Sequence, residues 1–436
     1  MDGQGTGKTL KRAALVVAVL LLALLTWLPH LLGTATNTLG GDVLFEQTTQ
    51  RVLCGTGPIT GWPINDGSVG SALGTFAPTL PSYLVAIAAC TIGSILHING
   101  LMAFLIIGIS LTVLITFGAS RAVGLGLRPS LLISYGLATA PCSFSRLGHL
   151  QLSQLWAIMP CIAVCALLLT RDRYPVKPAG CAYSTGFFGV IMGFFSFTGQ
   201  EYYALLSILC TVTCFIAGWA FATKEANRPT EFKDAQVTPS RKFIPRFHYA
   251  KITAGYATAM ILYLMTKQLL WNIPEWAHKA TRRAAVEQFM YNFWPSNILT
   301  SPLINDGLRE LFATKNQLPV NETPFGSSSG VLVIIALALS MMCWMKATRD
   351  RSGDLTKNDA LILAFGGVLV ATIAIACLVA TAGGLGTLFA VLVSPQLRAL
   401  NRITPYFYCA ALVVCAIRLD QVVTALTRNR RIGTQT

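Results

Sequence analysis

The sequence predicts an all-α polytopic membrane protein. It forms a single integral membrane domain over residues 1–436, with about ten transmembrane helices and a juxtamembrane helix in its first outer loop. Three observations carry that expectation. Only 12% of the residues are charged and 53% are hydrophobic, with a mean hydropathy of +0.58, whereas a soluble domain carries about 25% charge. Apolar runs of near-spanning length recur along the chain. The 33 Lys and Arg residues, which give a net charge of +15, sit in short clusters between those runs. That placement follows the positive-inside rule and suits membrane lipids with anionic headgroups, not a nucleic-acid face.

The first run, Ala13 to about Leu32, follows Lys8, Lys11 and Arg12. It is longer than the roughly 7 to 15 residues of a signal-peptide core and has no clear A-x-A site, so it reads as span one with its N-terminus in the cytoplasm. Further apolar runs fall at about 83–96, 101–119, 129–142, 152–170, 181–198, 202–223, 252–271, 330–346, 359–382 and 404–423. The run 83–96 is short of the roughly 20 residues a helix needs to cross, and the charges decide how to place it. If it lies along the outer surface, 23 of the 33 basic residues face the cytoplasm and 10 face out; if it spans, 12 face the cytoplasm and 21 face out. The positive-inside rule selects the first arrangement. The outer pieces are then 34–100, 272–329 and 383–404. The basic connector from Lys224 to Lys251 and the tail "TRNRRIGTQT" anchor the cytoplasmic side. No internal repeat, low-complexity tract or Gly-rich phosphate loop is present, which leaves no basis for an ATP-driven transporter. The twelve cysteines lie mostly inside apolar runs without a C-x-x-C pair. They read as small hydrophobes and not as a disulfide framework or metal site.

Candidate chemistry lies on the outer side. Asp42 and Glu46 stand just past span one, four apart, in a chain with only 18 carboxylates. A helix starting near Asp42 would put both on one face, and the same spacing also suits a helix cap with a solvated neighbour. "GQEYYA" puts Glu201 between two apolar spans, where a carboxylate is costly, followed by Tyr202 and Tyr203, which also fit an interfacial aromatic belt. "SRLGHLQLSQLW" places Arg146 and His149 at the outer end of another helix, as ligands or as interfacial residues. The long loop 272–329 holds "FMYNFWPSNILTSPLINDGL" and "PVNETPFGSSSG", too aromatic for disorder. Asn321 and Glu322 there either line a site or belong to an N-x-T acceptor pattern. Arg398 and Arg402 lie outside, four apart and against the positive-inside trend, and phosphate binding is the natural reason for them.

Taken together, "GGDVLFEQ", "SRLGHLQLSQLWAIMP", "SFTGQEYYALL", the "FWPSN…VNETPFG" loop and "PQLRALNRITPYF" resemble the GT-C superfamily of membrane glycosyltransferases. More narrowly they are similar to its bacterial inner-membrane branch, which includes YfhO-like proteins. The resemblance implies a GT-C-like fold and transfer of a sugar from a polyprenyl-phosphate carrier to a glycan, lipid or cell-envelope polymer on the outer face. O-antigen glucosyltransferases that modify lipopolysaccharide are one neighbourhood of that kind. It further implies Asp42, with Glu46 and Glu201, as catalytic carboxylates. Arg398, Arg402, Arg146 and His149 would hold the donor phosphate, and Tyr202, Tyr203, Asn321 and Glu322 the acceptor. No cofactor is expected, and nothing in the sequence specifically calls for a divalent metal. Two other classes fit the same topology. A lipid-linked sugar translocase would favour charges buried mid-span and repeated halves, and a non-catalytic envelope-assembly protein would not need its outer carboxylates.

Overall fold

The computed structural model describes residues 3–35, 80–98, 100–140, 155–170, 185–197, 201–226, 246–270, 330–349, 356–381, 384–392 and 400–433. Among them every regular element is helical. In chain order these are α1 Gly3–Ala35, α2 Leu80–Leu96, α3 Gly100–Ala122, α4 Leu127–Ala138, α5 Ile158–Thr170 and α6 Thr185–Phe197. They continue with α7 Glu201–Ala226, α8 Arg246–Leu270, α9 Gly330–Arg349, α10 Lys357–Ile375, α11 Leu385–Leu392 and α12 Thr404–Gly433. A π-turn, Ala376–Ala380, extends α10, and a 3₁₀ turn, Leu400–Ile403, leads into α12. Among the described residues, six helical stretches are long and apolar enough to cross a membrane: Thr9–Pro29, Met102–Ala122, Tyr203–Ala220, Gly330–Arg349, Lys357–Val379 and Thr404–Thr427. The chain is a multi-pass, all-α membrane protein. The shorter apolar helices Ile158–Leu169, Gly186–Phe197 and Ala250–Met265 are packed into the same bundle.

α12 forms the core. Its residues Tyr406, Phe407, Cys409, Ala410, Ala411, Val413 and Val414 are fully buried, so this helix is apolar on every side, as a helix enclosed by others must be. It packs against α4, α5, α9 and α10. The outward faces of the surrounding helices stay apolar, as at Leu21, Leu25, Ile216, Trp219, Met341 and Met342, which is the arrangement a lipid solvent favours.

Side-chain contacts give the helix directions. Cys161 lies against the Ser207 carbonyl at 3.7 Å while Gly218 meets Leu168, so α5 and α7 run parallel. Tyr408 Oη donates to the Gly136 carbonyl at 3.3 Å while Arg128 faces Asp420 at 3.9 Å, so α4 and α12 run antiparallel. α6 and α8 run parallel and very close. Gly186 lies beside Gly255, Gly193 beside Ala259, and the Phe197 and Tyr263 rings stack at 5.9 Å. Without a hydrophobic force between helices in lipid, small residues at the seam allow this approach. A Cβ on Gly255 would collide with the Gly186 carbonyl, and one on Gly189 with that of Ile252. Gly255→Val is therefore expected to split this pair, lowering the thermal unfolding midpoint of the purified chain, while the exposed Gly7→Ala, with open space around it, leaves the midpoint unchanged.

α2 is a separate helix of 17 residues, rising about 26 Å, less than the ~30 Å hydrocarbon core. It starts slightly before the apolar run and is not free of the bundle. A turn at His97, which has a φ of 52°, returns the chain so that α2 packs against α3, with Val85 and Ala89 buried. One cysteine reading needs correction here. Cys90, in the middle of α2, is disulfide-bonded, whereas Cys161, Cys165, Cys210, Cys214, Cys343, Cys377, Cys409 and Cys415 are in no disulfide. Spacing could not show it, because pairing depends on which segments the fold brings together.

At one end of the bundle α9, α10 and α12 are held by a buried carboxylate. Asp359, 3% exposed, binds Lys346 at 3.0 Å and faces Arg418 at 3.8 Å. Its backbone N–H donates to the N-cap Thr356 at 3.1 Å. This carboxylate stands at the edge of the apolar run 359–382, in the first turn of α10, where the helix dipole favours a negative group.

Candidate functional site

The opposite end of the bundle is where two of the sequence-derived segments meet. α7 starts at Glu201 and α12 at Thr404, and the 3₁₀ turn before α12 packs against both α7 and the π-turn that ends α10. The backbone there is irregular, and π-turns recur at functional sites. Tyr406 Oη donates to the Tyr203 carbonyl at 2.6 Å. Its hydroxyl has one proton, so in the 2.8 Å contact with Ser207 Oγ the serine is the donor. The chain Ser207–Tyr406–Tyr203 ties the start of α12 to the start of α7 inside the protein. The two tyrosine rings meet edge to face, 6.3 Å between centroids, a favourable aromatic geometry. Trp27 adds α1 to this end, donating its indole N–H to the Ala138 carbonyl at 2.8 Å.

Arg402 lies on the 3₁₀ turn and is only 6% exposed. A guanidinium is always charged, and burying it at the end of a membrane bundle is expensive enough to mark a function by default. The turn leads directly into the N-terminus of α12 and packs against α7, and a helix N-terminus carries about half a positive charge from its dipole. This end of the bundle thus holds a buried guanidinium beside a helix N-terminus. The chemistry it suits is recognition of an anion with several acceptor oxygens, held by the planar two-pronged donor set of arginine.

Of the residues singled out from the sequence, the fold brings Arg402 and Tyr203 to this end, together with the backbone of Glu201 and Tyr202, which open α7. Tyr203 is fully buried, and its carbonyl serves as the acceptor for Tyr406. Asp42, Glu46, Arg146, His149, Asn321, Glu322 and Arg398 lie outside the described residues, as do the outer loop 272–329, most of 34–100 and part of 383–404. Among the described residues no group of three or more His, Cys, Asp and Glu comes together to hold a metal ion. Sequence reasoning passed over Tyr406 and Ser207. Tyr406 had a signal, four residues past Arg402 within the quoted "PQLRALNRITPYF" segment, whereas Ser207 looks like any small polar residue in a span.

The fold thus defines a multi-pass helical membrane protein with a buried cationic centre at one end. Comparison with protein-family models, curated proteins and solved structures finds no match.

Proposed function

We propose that the chain is a GT-C-type glycosyltransferase of the bacterial inner membrane, moving a sugar from a polyprenyl-phosphate carrier to an envelope glycan or lipid on the outer face. The observation that supports it best is the buried Arg402 guanidinium on the turn that leads into α12 and packs against α7. A lipid-linked sugar leaves behind a phosphate, and charge building on that phosphate is best met by donors already fixed in place and shielded from water. Nucleotide sugars are not expected outside the cytoplasm, so the donor reaches the site laterally between helices. Asp42 takes the proton of the acceptor hydroxyl as the sugar's anomeric carbon is attacked from the face opposite the phosphate, with Glu46 orienting the acceptor. Arg398 joins Arg402 at the phosphate, and Asn321 and Glu322 bind the acceptor.

In this reading ten helices cross: α1, α3 to α10 and α12. The parallel pairs α5/α7 and α6/α8 and the antiparallel pair α4/α12 are the directions that ten alternating crossings require. α2 stays on the outer side, and the disulfide at Cys90 fits that placement, since disulfides persist on oxidising faces. A reporter fused after residue 100 is expected to read as outside and one near Arg173 as cytoplasmic; an inside reading after residue 100 removes the juxtamembrane placement. The function itself is tested by comparing surface glycans from cells with and without the gene. Loss of one sugar substituent from an envelope glycan supports the transfer, and identical glycans oppose it.

A further inference from the structure

At the end of the bundle away from Arg402, a cavity of about 360 Å³ opens between the α3–α4 turn, the start of α10 and the last part of α12. Arg121 and Lys357 line it, and Asp420 lies across from them. Arg121 donates to the Leu125 carbonyl, and Lys357 Nζ to the Gly124 carbonyl at 2.9 Å. Among the described residues no carboxylate pairs with either cation. The one acid in the wall, Asp420, is 3.9 Å from Arg128, whose side chain is 65% exposed. Among the described residues, the hydrogen bonds of both cations go to backbone carbonyls.

The backbone adds to this field. Gly126, the N-cap of α4, contributes no side-chain cap, and Lys357 and Asn358 are the first two residues of α10. The first turns of both helices thus line the same cavity, and a helix N-terminus is a setting that favours phosphate. The rest of the lining is apolar, from Leu125, Leu361 and Ile417, the last two buried at 3% and 2% exposure. A cationic wall over an apolar floor suits a phosphate carried on a hydrocarbon-bearing molecule, as basic pockets between transmembrane helices do.

We propose that this cavity is a binding site for a phosphate group at the membrane boundary, held by Arg121 and Lys357 with the helix N-termini of α4 and α10. The phosphate comes from an anionic phospholipid headgroup or from a soluble phosphate. The site is separate from Arg402 and stands whether or not the chain transfers sugar. Arg121 and Lys357 supply the charge, the two helix starts supply N–H donors, and Asp420 weakens the site while holding Arg128 aside.

The test uses the full-length chain in phosphatidylcholine nanodiscs with or without phosphatidylglycerol, followed by native mass spectrometry. Wild type is expected to retain phosphatidylglycerol. The double variant Arg121→Gln, Lys357→Gln loses that retention by on the order of tenfold or more, the worth of one charged hydrogen bond. Asp420→Asn retains more than wild type, a gain that a purely structural role for these residues does not produce and that does not rely on the double variant folding. If the source is soluble phosphate, inorganic phosphate raises the unfolding midpoint of wild type in phosphatidylcholine alone, and the double variant does not respond. The proposal is overturned if wild type and both variants retain phosphatidylglycerol equally and inorganic phosphate leaves the wild-type midpoint unchanged.

Discussion

Arg402→Ala is expected to reduce sugar transfer from a polyprenyl-phosphate donor by on the order of 10²-fold or more, the typical cost of removing a fixed donor from a developing anion. The residue is buried, so its charge acts in a low-dielectric setting where no water takes its place. Arg402→Lys keeps the charge but not the planar fork, and recovers only a small part of the rate. Because an arginine in this turn also fills space, each variant is paired with its unfolding midpoint. The account requires the lysine variant to fold like wild type and still transfer poorly. Full activity in both variants would reduce Arg402 to an interfacial anchor.

The second large effect is at Asp42. Removing a positioned general base costs on the order of 10²- to 10⁴-fold in rate. Asp42→Asn keeps the size and hydrogen-bonding capacity of the side chain but cannot accept the acceptor's proton. The variant is expected to insert and fold normally while transferring almost no sugar, and Glu46→Gln to be milder. Turnover near wild type in Asp42→Asn would move the base to Glu201 or Glu322. Asp42 and Arg402 are expected to differ in how they fail. Loss of the base lowers the rate at any donor concentration, and loss of the phosphate contact also weakens donor use.

Much of the helical plan was legible because lipid demands long apolar runs and leaves loops to hold the charge. The run 202–223 became α7, Glu201–Ala226, and 330–346 became α9, Gly330–Arg349, each boundary moving by a few residues at most. Spanning and packing are harder to separate. The described parts of α4, α5 and α6, 12 and 13 residues long, are too short to be counted by length. Their directions had to come from pairwise contacts such as Cys161 with Ser207. The fold-back of α2 on α3 depends on the left-handed residue His97, which has no hydropathy signal.

At the candidate site the arginine was legible and its surroundings were not. Arg402 stood out as a cation on the outer side of the charge pattern. That its turn meets the start of α7, nearly 200 positions earlier in the chain, is a product of tertiary packing. So is the Ser207–Tyr406–Tyr203 chain, whose members carry no spacing motif. Asp359 was hidden by its position at the edge of an apolar run, where a capped, paired carboxylate and an ordinary loop charge look alike.

The most direct measurement places the purified full-length chain in proteoliposomes with labelled polyprenyl-phosphate sugar and the envelope fraction of cells lacking the gene. The assay follows the label and the carrier together. The account predicts that the sugar moves to the envelope glycan and the carrier is left as free polyprenyl phosphate, and that both products fall away with Asp42→Asn and Arg402→Ala. Carrier that crosses the bilayer with its sugar still attached, and no label in the glycan, would contradict it and make the chain a translocase.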